Sequence, residues 1–258
     1  MLHSAHQMNG VRLDAKDGEV GKIKDCYFDD QKWVIRYLVV DTGGWLTRRL
    51  GLISPISVTG FEPDDRLVRV DLTREQVEHS PDIDTERPVA RQHEISFLDY
   101  YHYPYYWYGP LPWGLVAIPS EIAPVASERA LPAEVRERVE QEKQSGASNL
   151  RSAAEVRGYV FHARDGSIGE VEDLLFDDRG WAVRYLVVDT RKWLPGRRVL
   201  IDPQWIERIE WPAGEVYVNA TRQAVESSPE YDPSMTLSSD YEERLRRHYI
   251  ESERTLHE

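Results

Sequence analysis

Trp33-Val34-Ile35-Arg36-Tyr37-Leu38-Val39-Val40-Asp41-Thr42 occurs a second time, as Trp181-Ala182-Val183-Arg184-Tyr185-Leu186-Val187-Val188-Asp189-Thr190. Each run is apolar and β-branched almost throughout, and each closes on a polar Asp-Thr pair. Runs of this length are too short to cross a bilayer and pack instead as a strand buried on both faces. The repetition extends well beyond the strand. Sliding the chain on itself by 148 positions aligns Gly10–Asp84 with Gly158–Asp232 without a gap, and 33 of the 75 positions are identical. The chain therefore contains an internal duplication.

Working outward from the central strand, each copy reads as consecutive short strands. Asp17-Gly18 and Asp165-Gly166 are hairpin-turn dipeptides, each leading into a strand that keeps a glycine, Gly21 or Gly169. A glycine inside a strand marks a bulge or a sharp bend. Asp29-Asp30 and Asp177-Asp178 turn the chain into the central strand, and a loop with Trp45-Leu46 or Trp193-Leu194 leaves it. Pro55 and Pro203 end the strands Leu50–Ile53 and Val199–Ile201, because proline has no N–H for a ladder. Thr73 and Gln76 form the capping box of a short helix, whereas the second copy keeps Thr221 but has Ala224. These features predict a mainly β chain with two tandem small β-barrels, a few short helices and an aromatic-rich connecting segment. The expected division is 1–114, a linker 115–150 with a charged helix over Ala133–Gln144, and 151–258.

Composition narrows the function classes. A formal charge of −13 disfavours a sequence-independent grip on nucleic acid, which needs clustered Lys and Arg, and disfavours anionic membrane surfaces. No stretch predicts a membrane span, and Met1–Gly10 lacks the apolar core of a signal peptide. The one cysteine, Cys26, fits a reducing compartment, so a cytoplasmic location is expected. Its counterpart is Leu174, which reads as a packed apolar position and not as a nucleophile.

Asp25, Asp29, Asp30 and Asp41 recur as Asp173, Asp177, Asp178 and Asp189. A carboxylate cluster for metal or acid–base work is one reading; turn formation and strand-end polarity is the preferred one. Arg36 and Arg184 stand on strands that are otherwise apolar, so an ion pair is expected, with Asp25 or Asp41 as partner of Arg36. The eight histidines are scattered, and no Gly-rich phosphate loop, serine elbow or CxxC occurs. No catalytic, cofactor-binding or metal residues are assigned, and no cofactor is expected.

The remaining feature is Phe97–Trp113, which carries nine Phe, Tyr and Trp rings in seventeen residues. So many rings argue for a docked element, since disordered segments are poor in aromatics. The tract packs on its own barrels, or else Tyr105, Tyr106, Trp107 and Tyr108 form a partner-binding or dimer surface. The second copy has no matching run after Tyr249.

The set Asp17-Gly18, Gly21, Asp25, Phe28-Asp29, Trp33 and Tyr37–Asp41, repeated at Asp165-Gly166, Gly169, Asp173, Phe176-Asp177, Trp181 and Tyr185–Asp189, resembles the PRC-barrel family. That family includes the cytoplasmic barrel of photosynthetic reaction-centre H subunits, stand-alone bacterial proteins and the C-terminal domain of a ribosome-maturation factor. The tails, with Glu94, Tyr100-Tyr101 and Tyr106-Trp107 in one copy and Tyr241-Glu242 and Tyr249 in the other, resemble the stand-alone members. The resemblance implies a non-catalytic adaptor or assembly module that binds a protein partner or self-associates. The alternative it implies is an RNA-processing or ribosome-assembly factor acting through a ribosomal protein.

Overall fold

A computed structural model describes residues 1–43, 50–81, 89–122, 137, 141, 149–190 and 197–255. The Trp45-Leu46 and Trp193-Leu194 loops, and nearly all of the helix expected over 133–144, lie outside the described residues. The chain forms two units, one of Met1, Gln7–Ser152 and Asp177–Ala182, the other of Leu2–His6, Ala153–Phe176 and Val183–Glu258.

The strands in chain order are β1 (Leu2–Ser4), β2 (Arg12–Ala15), β3 (Gly18–Asp29), β4 (Val34–Asp41), β5 (Leu50–Ile53), β6 (Val58–Glu62) and β7 (Leu67–Val70), then β8 (Leu150–Ser152), β9 (Val160–Ala163), β10 (Gly166–Asp177), β11 (Val183–Asp189), β12 (Arg198–Ile201), β13 (Ile206–Glu210) and β14 (Glu215–Val218). The first unit carries the order β5-β4-β3-β2-β7-β6, with β8 paired to β3; the second carries β12-β11-β10-β9-β14-β13, with β1 paired to β10. The two orders match element for element. The expected mainly β fold in two tandem domains is present, each domain a seven-stranded sheet whose pairing runs as an open path and does not close into a barrel. Pro55 ends the pairing of β5 and starts the 3-10 turn Pro55–Ser57 that carries the chain to β6, and Pro203 does the same before Trp205.

Inside each sheet the sequence signals act as expected. Leu38, Val40, Ile53 and Val68 in one unit, and Leu186, Val188, Ile201 and Val216 in the other, are fully buried. Gly21 lies where a Cβ would come within 2.1 Å of the Asp41 carbonyl oxygen, so only a glycine lets β3 approach β4 that closely. Gly169 has the same relation to Asp189 at 2.5 Å. Each hairpin aspartate also caps a helix: Asp17 accepts from Arg74 N at 2.8 Å at the start of α1 (Arg74–Glu78). The full Thr73–Gln76 capping box is present there.

Two further helices matter for the site, α2 (Arg91–Tyr101) and, after the short α3 (Ala153–Val156) and α4 (Arg222–Glu226), the long α5 (Ser239–Thr255). They hold the same place in their units. Tyr100 donates to the Gln76 carbonyl at 2.9 Å, and His248 Nε2 lies 2.6 Å from the Ala224 carbonyl, each pair displaced by the repeat offset. Asp165 likewise accepts from Arg222 N at 2.7 Å at the start of α4.

One feature has no counterpart in the sequence reading. The short strand ahead of the first repeat, β1, belongs to the second unit, and the strand ahead of the second repeat, β8, belongs to the first. Each is fixed by the same bond. Ser152 Oγ donates to Asp25 at 2.5 Å, and Ser4 Oγ donates to Asp173. Each aspartate also accepts from the next backbone N–H, Cys26 or Leu174, at 2.8 Å. Cys26 is buried, as expected of an apolar packing position. Among the described residues no helix is long and apolar enough to cross a membrane.

Candidate functional site

The two copies of the central strand bring the same residue types to the same place and finish them differently. In the first unit, Arg36 on β4 is 1 % exposed. Burying a guanidinium alone is costly, so its surroundings have to supply charge. Its Nη2 donates to Asp29 Oδ2 at 3.2 Å. The expected partners Asp25 and Asp41 are engaged elsewhere, Asp25 with Ser152 and Asp41 with Lys24 and the Gly43 N–H. A register shift between Tyr27 and Phe28 displaces the end of β3, and simple counting of alternation does not anticipate it. Asp29 is also the turn former expected of it, accepting from Gln31 N at 2.9 Å and Lys32 N at 3.1 Å through its other oxygen.

The Arg36 Nε and Nη1 atoms have no hydrogen-bond partner. Rings cover the cation instead. Its Cζ lies 3.8 Å from the Tyr106 ring centroid and 4.8 Å from that of Trp113. In a desolvated place such stacking is worth about 2 kcal/mol or more. Behind Tyr106 stands Glu94, wholly buried on α2, which accepts from the Tyr106 hydroxyl and pairs with Arg91 Nη1 at 3.0 Å. The Arg91 guanidinium carbon in turn lies 4.0 Å from the Trp107 ring centroid. Burial, and then the negative charge of Glu94, push the Tyr37 and Tyr106 phenols well above their ordinary range, so both stay protonated.

The tract that supplies these rings is fastened along its length. Lys32 Nζ donates to the carbonyls of Gly109 at 3.0 Å and Leu111 at 2.9 Å, and Trp113 Nε1 donates to the Gly180 carbonyl at 2.8 Å. Burial, and next the Arg36 charge, lower the Lys32 pKa. Gly109 sits at φ +136° with a would-be Cβ 2.3 Å from the Gly114 carbonyl, which closes the loop tightly. Tyr105 is buried and donates to Asp99 at 2.5 Å. Of the four residues singled out in sequence, Tyr105 and Tyr106 are buried, and Trp107 and Tyr108 are half-buried. Phe97 and Tyr37 meet edge to face at 5.0 Å beneath them.

In the second unit the counterpart Arg184 is exposed. Its neighbour Tyr185 is buried and donates to Glu242 Oε1 at 3.0 Å, and Glu242 on α5 is the counterpart of Glu94. The rings of Trp205 and Tyr249 meet tilted, 5.7 Å between centroids, and form an apolar floor. With Arg184, Asp202, Glu242 and Arg246 they line a groove of about 210 Å³. Burial raises the Asp202 pKa, with the Gln204 N–H and Arg184 opposing. Burial, and then the bond to Glu242, raise Tyr185. The site is the first unit's arginine, tyrosine and glutamate without rings over them.

The PRC-barrel domain family matches residues 151–225. The match runs from β8 into α4 and takes in Arg184, Tyr185, Asp202 and Trp205, and it stops short of Glu242, Arg246 and Tyr249. Among curated proteins none matches the chain. The sheet order of the first unit is the same as that of the matched region.

Other candidates from the sequence fall to structural roles. Asp30 pairs with Arg151 at 2.9 Å, with its pKa raised by burial against that pairing. Asp177 accepts from Arg179 N and Gly180 N as a turn former. Among the described residues no group of three or more His, Cys, Asp or Glu side chains could hold a metal ion. Sequence reasoning did not single out Lys32 or Arg91 and gave Glu94 only a place in the family pattern. The signal available was the offset itself: Glu94 and Tyr101 recur at Glu242 and Tyr249 beyond the stretch that aligned.

Proposed function

We propose that the chain is a non-catalytic assembly module of two PRC-barrel-like repeats that binds a protein partner or self-associates. The observation that carries this reading is the unequal finish of one duplicated site. The first repeat closes its arginine under its own rings, and the second leaves the same arrangement open at its surface. A surface that pairs an aromatic floor with exposed arginine has the composition of binding hot spots.

Light scattering over a range of concentrations, combined with affinity capture with and without nuclease, tests the reading. A stoichiometric protein partner that survives nuclease, or a concentration-dependent oligomer, is the expected result. A chain that stays monomeric and captures nothing stoichiometric contradicts it, and a purely RNA-dependent capture favours the ribosome-assembly alternative.

A further inference from the structure

The groove of the second repeat has a template for its occupant within the same chain. In the first repeat, the space over the central arginine is filled by Tyr105–Trp113, an uncharged segment whose Tyr106 ring stacks on Arg36 while its hydroxyl meets Glu94. The groove at Arg184 presents the same three groups at the same repeat positions. Arg184 replaces Arg36, Tyr185 replaces Tyr37, and Glu242 replaces Glu94. The floor is wider, because Trp205 stands where the first repeat has Ser57. At the positions that correspond to Tyr105, Tyr106, Trp107 and Tyr108 the second repeat has Glu253, Arg254, Thr255 and Leu256, none of them aromatic.

We propose that this groove binds an uncharged Tyr- and Trp-bearing peptide segment of a partner protein, with a tyrosine ring on the Arg184 guanidinium and its hydroxyl on Glu242. The inference rests on the assembly reading above and names the chemistry of the partner. Charge supports the assignment. Arg184 and Arg246 face Asp202, Glu242 and Glu243 in the groove, a nearly balanced set that rejects neither sign strongly and rewards a neutral, polarisable ligand. The volume supports it as well, since about 210 Å³ holds one large side chain and its backbone but not a folded element. Lys32, which clamps the internal segment, has Gly180 as its counterpart, so the second site lacks that fastening and is suited to reversible occupancy.

The test is calorimetric or NMR titration of the full chain with a synthetic peptide of the sequence Tyr103–Trp113. Saturable binding is expected, with shifts at amides of α5 and around Arg184. Arg184→Ala, at an exposed position, is expected to weaken binding roughly tenfold without lowering thermal stability. A peptide with Tyr106→Phe is expected to bind several-fold more weakly, through loss of the hydroxyl to Glu242. No saturation at millimolar peptide, or equal affinity for R184A, overturns the proposal. If the chain also keeps an unaltered stoichiometric partner in R184A, the groove assignment alone fails. If there is no partner or oligomer at all, the assembly reading fails with it. Oligomers of the wild-type chain that the peptide dissolves would assign the groove to a second copy and overturn the partner-protein assignment.

Discussion

Arg36→Ala is the sharpest perturbation of the first unit, because the same substitution at Arg184 serves as its internal control. Arg36 is 1 % exposed, bonded to Asp29 and stacked on Tyr106. Removing one partner of a buried pair costs about 3–5 kcal/mol, chiefly because the other charge is left unpaired. Two backbone N–H groups still hold Asp29, which places the expected loss toward the lower end of that range. Arg184 is exposed, and its removal is expected to change stability by no more than about 0.5 kcal/mol. Urea unfolding followed by fluorescence and circular dichroism, fitted for two units when the probes do not coincide, measures both. Asp29→Asn combined with Arg36→Met removes the whole pair and is expected to recover most of the loss, since an apolar replacement of a buried pair is often neutral. An Arg36→Ala variant within about 1 kcal/mol of the parent, or one no worse than R184A, would refute the reasoning.

Three further outcomes follow from the same geometry. Gly21→Ala forces a Cβ against the Asp41 carbonyl and is expected to destabilise the first unit by at least about 2–3 kcal/mol, measured by thermal unfolding. Trp113→Ala removes a fully buried ring from over Arg36 and is expected to cost about 3–5 kcal/mol and to speed hydrogen exchange across Phe97–Trp113. Asp173 is held above its ordinary 3.8 by burial, against the Ser4, His6 and Leu174 donors, so its ionised form is disfavoured in the folded chain. The stability linked to it is present below 3.8 and is lost as pH rises through the raised value. Asp173→Asn is therefore expected to gain stability relative to the parent as pH rises across that window. A constant difference in urea midpoint would contradict this.

Much of the fold is legible in the sequence because its signals are local. The duplicated apolar run, the Asp-Gly turns, the strand glycines and the Thr73 cap each dictate one element through sterics or one hydrogen bond. The partner of Arg36 was not legible, since a register shift within β3 breaks the counting on which the expectation of Asp25 or Asp41 depended. The placement of β1 and β8 was not legible either. Three residues carry no periodicity, and the bond that places each strand joins a serine to an aspartate far away in the chain. A weak trace exists, since Leu2, Ser4 and Ala5 recur at Leu150, Ser152 and Ala153. The aromatic tract announced that it was docked; which group it docked on depended on tertiary structure, because nothing near it in sequence marks Arg36 as the cation beneath.

The central claim is that one arginine site is built twice, covered in the first repeat and open in the second. Arginine-selective modification with a dicarbonyl reagent, mapped by mass spectrometry, tests it most directly on the native chain. The account predicts that Arg184 is modified while Arg36, shielded by Tyr106 and Trp113, is untouched, and that both react in urea. Equal native reactivity of the two, or protection of Arg184 to the same degree as Arg36, would contradict it.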